Sequence, residues 1–339
     1  MRHAIRIGRL GMLAAGLGIG AALAWTPGVA SADSSTGLSP TELADLDQVL
    51  RFLFDPTGAD MQISISGMDL FPTEGNSATA VAGMGDIAIA VGDGSTAYSG
   101  TGLFGLFGGG FGDFVFADGT GSTAEAAVLG SGDFDFVWAD GTASNAQVGL
   151  GANLDSAIAI GTASHAQVAL GAQLDTALAD GDSSYADAGI GNNDLAAAFA
   201  GSSATAGGGN QDFASAVGGG TASAEGYVTT AMANGANTDA VTNGISDTAT
   251  VFGTNAESQA EGIGDMASVI NTGSAFDSAL AGGGAPLTSN LDLAEIFGTG
   301  STAVAGEGGS LDFAAAFGDM LNAMATFDNF VIDILPSLF

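Results

Sequence analysis

Gly141-Thr-Ala-Ser-Asn-Ala-Gln-Val-Gly-Leu150, Gly151-Ala-Asn-Leu-Asp-Ser-Ala-Ile-Ala-Ile160, Gly161-Thr-Ala-Ser-His-Ala-Gln-Val-Ala-Leu170 and Gly171-Ala-Gln-Leu-Asp-Thr-Ala-Leu-Ala-Asp180 are consecutive blocks that alternate between two kinds. Gly continues at 181, 191 and 201, so the true period is about 20 residues. One kind of block centres on Asp followed by alternating residues and Gly, as in Asp155 to Gly161 and Asp175 to Gly181. The other reads Gly-Thr/Ser-x-Ser-x-Ala-x-Val/Ala. The Asp-led unit returns at Asp86, Asp113, Asp135, Asp194, Asp212, Asp247, Asp265, Asp292 and Asp312. Self-similarity at a fixed short period is the mark of a repeat architecture.

Each Asp-led unit alternates with period two over five or six residues, which is strand length. In Ile87-Ala-Ile-Ala-Val91 one face is Ala and the other is β-branched, so both faces are apolar and both should be covered. A helix is the competing reading, because Ala is the best helix former. It fails on spacing: Gly every ten residues, with Ser and Thr at fixed offsets, would cut any helix to under three turns. Two short strands per unit with Gly at the corners describe one coil of a β-solenoid. The expected fold is therefore all-β, a solenoid of two-strand coils over residues 69–318, stacked at about 4.8 Å per coil. Residues 100–110 and 282–286 interrupt the period and read as loop insertions. A two-layer sheet stack or a membrane barrel built from the same strands is the alternative.

The flanks differ from the array. Arg2, Arg6 and Arg9 precede an uncharged apolar run from Leu10 to Trp25, and Ala30-Ser31-Ala32 is an A-x-A cleavage site. Residues 1–32 are expected to be a secretory signal peptide, with an uncleaved single-span anchor as the alternative. Residues 33–68 are expected to form an N-terminal helical cap. Ser39-Pro40-Thr41-Glu42 is a capping box with Pro at the first helical position. Leu43, Leu46, Leu50, Leu53 and Phe54 follow as one apolar stripe up to Asp55-Pro56-Thr57-Gly58. Residues 319–339 concentrate Met, Phe, Ile and Leu and are expected to form an apolar C-terminal cap. Asp328, Asp333 and Pro336 argue there against insertion into an outer membrane as a barrel strand.

Composition excludes several functions. The only basic residues are Arg2, Arg6, Arg9 and Arg51, with no Lys. After residue 32 a single Arg faces all 37 acidic residues, a formal charge of −36. Such a surface repels nucleic acid and anionic lipid and attracts cations. There is no Cys, so disulfides, thiolate metal sites and Cys nucleophiles are absent. His165 is the one histidine after the export segment and fills a variable slot of the repeat, matched by Asn145 and Tyr185. A Ser-His-Asp site would need it as base, and no G-x-S-x-G elbow accompanies it. Gly100 to Gly105 matches G-x-G-x-x-G, which a chain this rich in Gly produces by chance.

One chemical constellation remains. In a solenoid, Asp135, Asp155, Asp175, Asp194 and Asp212 would stack as a ladder at about 4.8 Å. Each Asp could accept a turn N–H, as in Asx turns. Alternatively the ladder could hold Ca²⁺ between coils, and Gly207 to Ala214 comes near the nonapeptide that does so, with Asn210 in place of a Gly.

The segment Asp69 to Ala80 followed by Gly85-Asp-Ile-Ala-Ile-Ala-Val-Gly92 resembles the Gly/Ala-rich secreted repeat proteins of mycobacteria, the company of the PE-PGRS proteins. The chain departs from them in lacking their N-terminal helical PE domain and the Gly-Gly-x triplet. The Ser-x-Ala-x-Ala-Ile-Gly texture is also similar to the heads of trimeric autotransporter adhesins. These resemblances imply an envelope or surface role. The sequence thus predicts a non-enzymatic protein, secreted or held at the cell envelope, whose partner is another protein or envelope component or a second copy of itself. A Ca²⁺-binding solenoid and a secreted carboxylate-dependent hydrolase are the alternatives.

Overall fold

The computed structural model describes residues 60–70, 76–99, 112–126, 134–149, 153–169, 171–271, 275–282, 291–306, 311–326 and 330–334. The described chain is all-β, a parallel β-solenoid of about 11 turns. One sheet has 15 strands and the other 13; the first two strands both lie in the larger sheet, and from Met68–Asp69 onward successive strands alternate between the sheets.

One coil shows why the sequence folds this way. Ser156–Thr162 lies in the larger sheet and His165–Val168 in the smaller. The next coil repeats them as Thr176–Asp180 and Tyr185–Ala188. Register is direct: Ala157 sits on Ala177, Ala159 on Ala179, and Ala166 on Ala186. Those alanines point inward and are fully buried. The small residue lies inside because the two sheets are joined within ten residues, which leaves little interior width. Val115, Val137, Val148, Val168, Val251, Val269 and Ile296 are the larger exceptions. A buried methyl contributes only about 0.8 kcal/mol, so stability leans on the continuous backbone ladders as much as on the core.

Corner glycines are required where coils touch. Gly161 has φ +125°, and a Cβ built on it would stand 2.6 Å from the carbonyl oxygen of Gly181 in the next coil. The expectation that both strand faces are covered is not met. The Ala face is enclosed, while the Ile, Phe and Trp face of the larger sheet points out of the solenoid and, apart from Phe116, is half-buried or exposed.

At the N-terminal end, Met61–Ile65 runs antiparallel to Ile87–Val91, and the two-residue strand Met68–Asp69 pairs antiparallel with it at the edge of the larger sheet. Side chains of Met61–Ile65 reach the first strand of the smaller sheet. Gln62 Oε1 accepts the N–H of Ala80 at 3.0 Å, and Ser64 Oγ accepts that of Ala82 at 3.2 Å. The described end of the segment expected to be a helical cap is therefore strand. The helix expected at Thr41 to Phe54, and the signal peptide, lie outside the described residues. At the other end, Asn322–Ala325 and Phe330–Ile334 continue the two sheets as the last described strands.

Candidate functional site

The Asp ladder is built at the corner that enters the larger sheet. The residue before each Asp adopts a left-handed conformation, as at Leu154, Leu174 and Asn193, each with φ 61°. That turn sends its own N–H to the preceding coil's backbone, as Leu174 does to Asn153 O. The N–H of the following Asp is left to a side chain. Asp155 donates to Asp135 Oδ1 at 3.2 Å, Asp175 to Asp155 Oδ1 at 2.7 Å, Asp194 to Asp175 Oδ1 at 2.8 Å, and Asp212 to Asp194 Oδ1 at 2.9 Å. Asp212 in turn accepts both the N–H and the hydroxyl of Thr229. The same contact recurs from Asp265 to Asp247 and from Asp312 to Asp292.

The structure thus brings Asp135, Asp155, Asp175, Asp194 and Asp212 into one column, each at most 1% exposed. In every one of them Oδ1 is already an acceptor for the next coil. Among the described residues no group of three or more His, Cys, Asp or Glu converges in a way that could hold a metal ion.

The ladder is electrostatically costly. Burial, opposed by the Asp194 N–H and reinforced by the neighbouring carboxylates, pushes Asp175 up to about 7. Burial likewise lifts Asp194 to about 6 and raises Asp155 and Asp212 above the ordinary carboxylate value. The second oxygens of Asp155, Asp175 and Asp194 make no hydrogen bond.

The opposite corner holds a second polar column that the sequence reading passed over. Ser144 Oγ lies 3.0 Å from Asp140 O and 2.5 Å from Gly161 O of the next coil. Ser122, Ser164 and Ser184 occupy the same place. Asp277 replaces Ser in one coil and accepts the Ser301 N–H at 2.7 Å. The signal was present as the fixed Gly-x-x-Ser offset.

His165 lies on the outer face of the smaller sheet. Its ring stacks on Tyr185 at 5.1 Å, its Nε2 is 3.4 Å from Gln167 Oε1, and Tyr185 donates to Asp187 at 3.2 Å. Polar side chains fill the outward columns around it, through Asn145, Gln147, Ser203 and Thr205. The outer face of the larger sheet is apolar by contrast. Phe114 stacks on Phe136 at 5.6 Å with planes 10° apart, and Phe116 packs on Trp138 at 4.9 Å. The G-x-G-x-x-G stretch at 100–105 lies outside the described residues.

No protein-family model, curated protein or solved structure matches the chain.

Proposed function

We propose that this chain is a non-enzymatic structural or interaction protein that works outside the cytoplasm, secreted or held at the cell envelope. The observation that carries the reading is the fate of its acidic groups. The Asp column is buried and spent on joining coil to coil. A carboxylate-dependent hydrolase needs a pair of carboxyls within reach of substrate, and the buried column does not supply one. What the solenoid offers to solvent is two long, flat and chemically different faces, a form suited to contact rather than turnover. The resemblance to secreted repeat proteins and the Ala30-Ser31-Ala32 site support export.

Fractionation of the native host with N-terminal sequencing tests this. The expected product lies in the medium or envelope and begins at Asp33, and a screen for glycosidase, esterase and protease activity finds no turnover that depends on one Asp or Glu. Intact Met1 in the cytosol, or turnover abolished by a single carboxylate substitution, would contradict it.

A further inference from the structure

The larger sheet runs through 13 parallel strands from Ile87–Val91 to Phe330–Ile334, and its outward side chains form straight columns. One column descends through Phe199, Val217, Asn234, Phe252, Ile270, Phe297, Phe317 and Ile334, each directly paired with the next. Phe252 is 43% exposed, Phe297 51% and Ile334 52%. Beside this column Met232 and Met266 are also exposed. The outward acids on these parallel strands are Asp118, Asp140 and Asp180, which head the same column above Phe199, and Glu295 beside it, so the acid-free part of the column begins at Phe199. Contiguous exposed apolar surface on this scale marks a contact site.

We infer that this face binds the same face of a second copy of the chain, giving a face-to-face dimer. Thirteen strands at about 4.8 Å, each presenting about five residues at ~3.3 Å, give a footprint of roughly 1,000 Å². A stable interface needs about 800 Å² per partner, so the face is large enough by itself. Two flat parallel sheets pack at about 10 Å with interleaved side chains. Charge favours this arrangement over other faces of the molecule. Glu125, Asp187, Glu225, Asp239, Glu257 and Glu261 lie outward on the smaller sheet. A dimer through the larger sheet keeps those acids in water and far apart.

Two other occupants fit less well. A lipid surface is normally met by an apolar face flanked by Lys and Arg. This chain has no Lys, and Arg51 is its only Arg after residue 9. A sugar platform needs ring faces turned outward, whereas Phe114 and Phe136 turn their faces to one another.

Sedimentation equilibrium of the purified full chain from 1 to 100 µM at ~0.15 M NaCl, where surface charge is screened beyond about 8 Å, tests the inference. The expected result is a dimer whose dissociation constant rises at least about 30-fold in Phe252→Ser/Phe297→Ser, as for loss of a buried anchor. Val304→Ser, on the smaller sheet, should leave it unchanged. A wild-type readout guards against misfolded variants. Peroxide oxidation of Met232 and Met266 should slow between 1 and 100 µM, while Met320, 87% exposed at a corner, stays equally reactive. A monomer throughout overturns the inference, as does an assembly indifferent to the double substitution or one that leaves Met232 and Met266 equally reactive. Flotation of a monomer on phosphatidylcholine vesicles would instead assign the face to lipid.

Discussion

Leu154 and Leu174 occupy left-handed corners, each with φ 61° and more than half of the side chain in solvent. An L-residue with a full side chain costs about 1–2 kcal/mol there, whereas Asn tolerates the conformation. The next coil shows the relaxed solution, since Asn193 stands at the matching corner with the same φ. Leu174→Asn should therefore raise unfolding stability by about 0.5–1 kcal/mol, read from denaturant midpoints, because little packing is lost. No gain would mean that the corner is not strained. These corners were only half legible in the sequence. Glycine marks one corner of each coil by its spacing, but Leu154 and Leu174 look like ordinary members of the apolar pattern. Their conformation follows from the chain having to turn inward at the Asp that comes next.

At the scale of the element, the Asp column couples folding to pH. Asp175 and Asp194 have folded values of about 7 and about 6, raised from an ordinary 3.8. The folded state then holds protons that the unfolded state has released. The stability these groups contribute is fully present below about pH 3.8 and is lost as pH rises through 6 to 7. The melting temperature should be higher at pH 5 than at pH 8, and the drop should shrink in Asp175→Asn, which is neutral throughout and keeps an acceptor for Asp194. Stability that rises between pH 5 and 8 would contradict a buried carboxylate ladder. The recurrence of Asp was plain from the sequence, as was its stacking at equivalent positions. Its chemistry was not, because two readings, turn acceptor and shared cation site, place the same residues in the same column. The choice depends on where the N–H of each Asp points, and the left-handed residue before it decides that.

Across the whole described molecule, period and register were the legible part. Gly141, Gly151 and Gly161 already imply two strands per coil, and Ala at alternate positions implies a narrow interior. What the pattern misjudged was the outer face. Ile, Phe and Trp opposite the alanines read as a second covered side, yet no second layer of the described chain lies over them, since both sheets spend their inner faces on the same Ala core. The N-terminal edge was legible only as a lead into the first coil, not as a strand of it. Apolar Met61 and Ile63 fit a strand sealed by Gln62 and Ser64 as well as they fit a cap of any sort, and only the pairing with Ile87–Val91 distinguishes the two. Each Asp carboxylate in the column is taken up in joining one coil to the next. Amide hydrogen exchange at Asp155, Asp175, Asp194 and Asp212, measured with and without millimolar Ca²⁺ at matched ionic strength, tests that role most directly. Exchange as slow as that of the neighbouring strand amides, and unchanged by Ca²⁺, is the predicted result. Rapid exchange at these four amides, or protection that appears only when Ca²⁺ is added, would contradict it.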